Sequence, residues 1–396
     1  MSTAVLKTSN ETQADAKLKR PIVDADAHIE PPYEMWQAYL PAKLAGLAPY
    51  IEHGEEHDWI VFEGNKRPVT MISNQAGRKG EDFKMVGRRS EMRPVWLPET
   101  RLQDMTTDGM DAAVLFGGGP LGTANPDLYI ASFDAYNRWL WDFCGADRQR
   151  LLPVGYVPMR DVNETVSMLR ALAQRGFTAV NIPAFPMDRD VPKAGGFSAQ
   201  ALGISGNPNG DRSYVDAEFD LLWETVSELD LTLTMHLGGR VPRFGNKQHF
   251  LPDLVMSKTA MAEPVAILTY GAIFQRFPNL RLAIVESGVG WLAWMAEYMD
   301  RTWERQRFWT QSPLHDRPSH FLDQNVYASF IHDRTGILNR NLPGGRNIMW
   351  SSDYPHSETT FPHSLRVIER DFEGIPEADV HQIVCARAKR LYRLGV

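Results

Sequence analysis

Residues 22–30 read Ile22-Val23-Asp24-Ala25-Asp26-Ala27-His28-Ile29-Glu30, and their reading decides the fold. Side chains alternate faces along a strand. One face of this run is Val23, Ala25, Ala27 and Ile29, which suits packing under helices. The other is Asp24, Asp26, His28 and, if the strand continues, Glu30. Three carboxylates and a histidine converging in a low-dielectric interior repel one another. Buried charges are normally paired or coordinate a metal, so a bound cation resolves the conflict. The run then passes into Glu30-Pro31-Pro32. The Gly-rich phosphate loop that usually follows the first strand of a doubly wound sheet is missing, which counts against that fold.

Working outward, seven more short apolar, β-branched runs follow: Ala112–Gly118, Leu151–Met159, Thr178–Ala184, Leu231–Leu237, Arg281–Ser287, Val326–Ile331 and Asn347–Tyr354. Helical patterns separate most of them, among them Tyr129–Cys144, Asn163–Arg175, Phe219–Leu229, Glu263–Phe277 and Trp291–Arg307. Strands alternating with helices imply parallel pairing, and eight such units make a (β/α)8 TIM barrel of class α/β. The barrel is expected over 21–396, after a loose arm at 1–20. Two insertions interrupt it. Residues 50–101, between the first two strands, have polar turns, scattered aromatics and many charges, and read as a small inserted lid or subdomain. Residues 186–213, rich in Gly, Pro, Asn and Asp, read as a long active-site loop. Both would overhang the C-terminal face, where barrel enzymes do their chemistry.

The 396-residue chain is 43% hydrophobic and 23% charged, enough apolar material for a large core. With 42 basic against 49 acidic residues it lacks the basic excess of a nucleic-acid binder. No apolar run reaches the ~18–20 residues of a membrane-spanning helix. Two cysteines, Cys144 and Cys385, cannot build a disulfide framework or a cysteine zinc site, and a reducing, cytoplasmic setting fits them.

Four runs end in groups that bind metals or move protons. Beside Asp26 and His28, the fifth strand ends at His236 before a Gly238-Gly239 pair, the sixth at Glu286 and the eighth at Asp353. Ligands of Asp, Glu and His without Cys favour zinc, manganese or iron in an open, reactive site. His356, three residues past Asp353, is a candidate acid/base. Arg240 could clamp a substrate carboxylate in a bidentate pair, and His332, ending the seventh strand, could line the pocket.

The stretches DADAHIEPP, RLQDMTTDGMDAAVLF, TMHLGG, FPNLRLAIVESGVGWLAWMAEYMDR and MWSSDYPH resemble the amidohydrolase-related family, whose metal-dependent barrels include aminocarboxymuconate-semialdehyde decarboxylase and aromatic-acid decarboxylases. The resemblance runs from Pro21 to the C-terminus. It implies one divalent metal (zinc, manganese or iron) held by Asp26, His28, His236 and Asp353. The fourth strand reads Ala179-Val180-Asn181-Ile182-Pro183, without the bridging lysine of the wider superfamily. Glu286 replaces the histidine that characterised decarboxylases carry on the sixth strand.

The resemblance implies a metal-dependent hydrolase or non-oxidative decarboxylase for a small carboxylated, aromatic or ring-derived compound; Asp353, Glu286 and, from its place beyond Asp353, His356 are the proton-carrier candidates of this chain. With Glu30 and Glu286 as second-metal ligands, the carboxylate-rich inventory also fits a dinuclear iron or manganese oxygenase. A non-catalytic partner subunit is the third reading. A homodimer or a pairing with a related subunit is the expectation for partners, with Trp294, Tyr298, Trp303 and Phe308 as contact candidates.

Overall fold

The computed structural model describes residues 21–186, 212–237 and 247–395. Eleven strands are present among them: β1 Val23–Ile29, β2 Tyr50–Glu52, β3 Trp59–Phe62, β4 Asn65–Pro68, β5 Ala112–Gly117, β6 Leu151–Tyr156, β7 Ala179–Asn181, β8 Thr232–His236, β9 Arg281–Val285, β10 Val326–Phe330 and β11 Ile348–Trp350. Strands β1 and β5 to β11 form one eight-stranded sheet in sequence order, each neighbouring pair parallel. Each of the eight apolar runs supplies one of these strands.

The sheet closes on itself at its C-terminal rim. Asp353 N–H donates to the Asp26 carbonyl at 3.0 Å, and His28 N–H donates to the Tyr354 carbonyl at 2.6 Å. The interior face of β1 is not a regular alternation. The pairing with β5 slips between Asp24 and Ala27, so that two residues of β1 stand opposite one of β5.

Helices cover the barrel, and local chemistry sets their ends. Pro126 opens the helix Pro126–Cys144 while Asn125 caps it, accepting the Leu128 N–H at 3.1 Å. Asp161 caps Val162–Arg175, which stops at Gly176 with φ +108°, a conformation glycine takes without steric cost. The expected helix Glu263–Phe277 is broken into Ala262–Tyr270 and Ile273–Arg276. The break lies at Gly271, where a Cβ would stand 2.1 Å from Val215 Cγ1, and Ala272, which is left-handed. In Leu292–Gln306, Trp303 turns into the core, whereas Trp294 and Tyr298, and Phe308 beyond the helix, stay exposed. Both cysteines are buried and free. No helix among the described residues is long and apolar enough to cross a membrane.

The first insertion contains its own antiparallel sheet, β2-β3-β4, over a small core of Ile60, Val69, Met71 and Met92. It is bonded to the loop after β11: the Gln75 and Ala76 N–H groups donate to the Pro355 carbonyl, and Ser357 N–H donates to the Ile72 carbonyl. The second expected loop, 186–213, lies outside the described residues except at its ends.

Candidate metal centre

At the mouth of the barrel, the ends of β1, β8, β9 and β11 bring six side chains together. Asp26, His28, His236 and Glu286 offer ligand atoms within 4.8 Å of one another, and so do His28, Glu286, Asp353 and His356. His28 Nε2 lies 3.1 Å from Asp353 Oδ1, 3.3 Å from Asp26 Oδ1 and 3.9 Å from Glu286 Oε2. His236 Nε2 lies 3.5 Å from Asp26 Oδ1 and 3.6 Å from Glu286 Oε2. His356 stacks on His28 with ring centroids 3.7 Å apart, and its Nδ1 is 3.0 Å from Asp353 Oδ1. Phe116, fully buried, packs against both His28 and His236 and makes a dry wall.

The chemistry of this cluster is visible in what its atoms lack. Both Asp26 oxygens, His28 Nε2, His236 Nε2 and Asp353 Oδ1 are buried without a hydrogen-bond partner. Buried polar atoms are nearly always satisfied, and each exception calls for a reason. Five orphaned ligand atoms from β1, the end of β8 and the rim of β11, in two overlapping groups that share His28 and Glu286, fit a cation of the class bound by Asp, Glu and His.

The electrostatics agree. Burial opposes charge on His28, yet Asp26 and Asp353 drive its pKa up to about 10. Burial likewise opposes charge on Asp353, but His356 and His28 hold its carboxyl down at about 2. Asp26 is lowered too, by the same two kinds of neighbour, His28 and His236. Glu286 moves the other way, raised by burial and by the Asp353 carboxylate. A cluster that holds the His28 proton this strongly is short of positive charge.

Backbone geometry supports the arrangement. Glu286 and Asp353 both have φ +56°, a strained setting for residues with a Cβ. Such strain persists where the surroundings over-determine it, often at functional sites. Ser329 Oγ accepts the Glu286 N–H at 3.0 Å, and Asn181 Oδ1 accepts the His236 N–H at 3.2 Å. The β7 position without a lysine thus braces β8 instead.

Other expected residues are placed elsewhere. Glu30 joins neither group: Ser73 Oγ donates to it at 3.4 Å, and Arg89 is its foremost positive neighbour. Asp24 faces the barrel seam, accepting the Ser352 N–H at 2.9 Å and the Ser352 hydroxyl. His332 is exposed and binds Asp371 Oδ2 at 2.9 Å, outside both groups. Arg240 lies outside the described residues.

Three residues that sequence reasoning missed complete the site: Lys258, Glu358 and Arg101. Lys258, on the helix Lys247–Thr259, places Nζ 2.9 Å from Glu286 Oε1 and 2.9 Å from Glu358 Oε2. No periodicity or motif marks either position. Arg101, 1% exposed, donates to the His28 carbonyl and lies under the Tyr354 ring. It opens the RLQDM stretch, so a signal was present there without a role attached.

The family model described as "Amidohydrolase" matches residues 23–394. The 2-amino-3-carboxymuconate-6-semialdehyde decarboxylase of Dictyostelium discoideum is 20% identical over 267 residues, 66% of this chain and 67% of that protein. An amidohydrolase from Mycobacterium avium subsp. paratuberculosis K-10 superposes with TM-score 0.70 at 19% identity, covering 95% of this chain and all of the other. A dihydroxybenzoic acid decarboxylase from Polaromonas, solved with bound manganese and the inhibitor 2-nitroresorcinol, superposes with TM-score 0.63 at 16% identity, covering 95% and 98%.

Proposed function

From the premise that the chain belongs to the amidohydrolase family, we propose that it is a metal-dependent non-oxidative decarboxylase of a small aromatic or ring-derived carboxylic acid. The observation that carries the metal is the set of orphaned ligand atoms on Asp26, His28, His236 and Asp353. Decarboxylation is favoured over hydrolysis by the activities named for the Dictyostelium and Polaromonas proteins. Asp26, His28, His236 and Asp353 would hold the ion, with Glu286 beside it. A divalent ion there supplies a Lewis acid that orients the substrate carboxylate and an adjacent oxygen.

The chain's own residues do the rest. Phe116 keeps water from the reacting face. Asp353 Oδ1 faces the Nδ1 side of His356 at ion-pair distance, 3.0 Å, which leaves Nε2 as the nitrogen for proton transfer. As the ring–carboxylate bond breaks and carbon dioxide leaves, His356 gives its proton to the vacated ring carbon. The imidazole is then reprotonated from solvent, to which His356 is partly open.

The test is a panel of aromatic acids with manganese-loaded protein in deuterated water. Carbon dioxide release with one deuterium at the vacated carbon is expected. Release of an acid and an amine or alcohol without carbon dioxide would replace this reading with hydrolysis, and substrate-dependent oxygen uptake would replace it with oxygenation. His356→Gln is expected to keep its metal and lose turnover by about 100-fold or more.

A further inference from the structure

Glu286 is shared between two neighbours of different kind. Its Oε2 faces His28 and His236, at 3.9 and 3.6 Å, where the ion would be held. Its Oε1 faces away, 2.9 Å from Lys258 Nζ. Lys258 in turn sits 2.9 Å from Glu358 Oε2, an oxygen that is itself buried. A carboxylate giving one oxygen to each of two cations is the arrangement by which carboxylates bridge paired metals. Here the second cation is an ammonium supplied by the chain. Glu286 is 6% exposed, and a carboxylate that buried is not left without positive partners.

Charge counting points the same way. Asp26, Glu286, Asp353 and Glu358 bring four negative charges when ionised. One dication and Lys258 together offset three of them. Without Lys258, one dication leaves a deficit equal to the charge of another, beside two carboxylates that have lost their partner. Lys258 is also a donor only, so it can neutralise this pair but cannot ligate a metal while protonated.

We propose that Lys258 is the built-in second cation of this centre. It occupies the Glu286–Glu358 pair that would otherwise recruit a second divalent ion, and it confines the site to one. The inference rests on the metal reading given above. It also replaces Glu30 with Glu358 as the carboxylate that would complete a dinuclear site.

The test is metal stoichiometry on full-length protein, by elemental analysis after equilibration with manganese and removal of loosely bound ion. Wild type is expected to hold about one ion per chain and Lys258→Met about two, with a spin-coupled manganese signal only in the variant. Lys258→Arg keeps the charge and should stay at about one. In Lys258→Met/Glu358→Gln the second ion should be lost again. Two ions in wild type, or one in a folded Lys258→Met protein, would overturn the role of Lys258 and leave the metal reading intact. No ion in wild type would defeat the metal reading itself. If Lys258→Met does not fold, the wild-type and Lys258→Arg counts still decide: two ions in either overturns the proposal.

Discussion

Asp24 and Asp26 lie two residues apart on β1, both are buried, and they meet opposite fates. Asp24 is surrounded by donors: the Ser352 N–H, the Ser352 hydroxyl and the Asp26 N–H. Asp26 has none for either oxygen. The helix Pro98–Asp108 repeats the first case on a larger scale. Asp104, 2% exposed, accepts from the Arg93 guanidinium through both oxygens and from the Tyr354 hydroxyl. Arg101 beside it reaches the His28 carbonyl. One region buries carboxylates and satisfies them, and so holds the barrel seam together. The other buries carboxylate and imidazole atoms and leaves them open, which is why we propose a cation there. Residue type does not separate the two; the inventory of donors does.

The comparison breaks if loss of an open carboxylate behaves like loss of a satisfied one. The largest effect is expected at Asp26. Asp26→Ala should weaken metal binding by more than ~100-fold, beyond the cost of losing an outer-shell partner, with activity lost alongside. Its circular dichroism should stay native. A variant that unfolds would make Asp26 a structural residue. Asp104→Ala should do the reverse, costing roughly 3 kcal/mol of stability by stranding Tyr354 and Arg93, while manganese stoichiometry is kept. Loss of metal without loss of stability there would merge the two regions.

A finer distinction is made by pH. Burial pushes Asp108 up to about 6, against the two bonds it accepts from Ser364. A carboxyl raised in the folded state contributes stability when protonated, and that contribution is lost as pH rises through its folded pKa. Wild type should therefore lose about 2 kcal/mol from this group between about pH 4.5 and 8. Asp108→Asn should remove that slope in a denaturation series, and an unchanged slope would reject the assignment. The smallest effect is at a plain helix cap. Asp161→Ala should cost about 1 kcal/mol by denaturant melt, with no change in metal content.

The barrel was legible because each of its eight strands is a short apolar run and most of them are followed by an amphipathic helix. The break at Gly271 was not legible, since it answers to Val215 on another segment. In the site, Asp26, His28, His236, Glu286, Asp353 and His356 could be named because strand ends are fixed by pattern. Strict alternation failed within β1 itself. It placed Asp24, Asp26, His28 and Glu30 on one face, yet the register slip and the chain's exit toward Ser73 divide them among three environments. Lys258 and Glu358 were invisible because neither lies on a strand; only the folded chain brings them to Glu286.

The seam of the barrel has a consequence in time. Its two sides, Asp24 and Ser352, are 328 residues apart in the chain. At about 5–20 residues per second, roughly 15–65 s of synthesis separate the first proposed ligands, Asp26 and His28, from the last, Asp353. For that interval the nascent protein exposes Asp26 and His28 with no means of completing their coordination shell. A stray ion captured then would meet only part of the final ligand set and would be held weakly. On the proposed ligand set, selection of the ion is thereby deferred until the last strand docks.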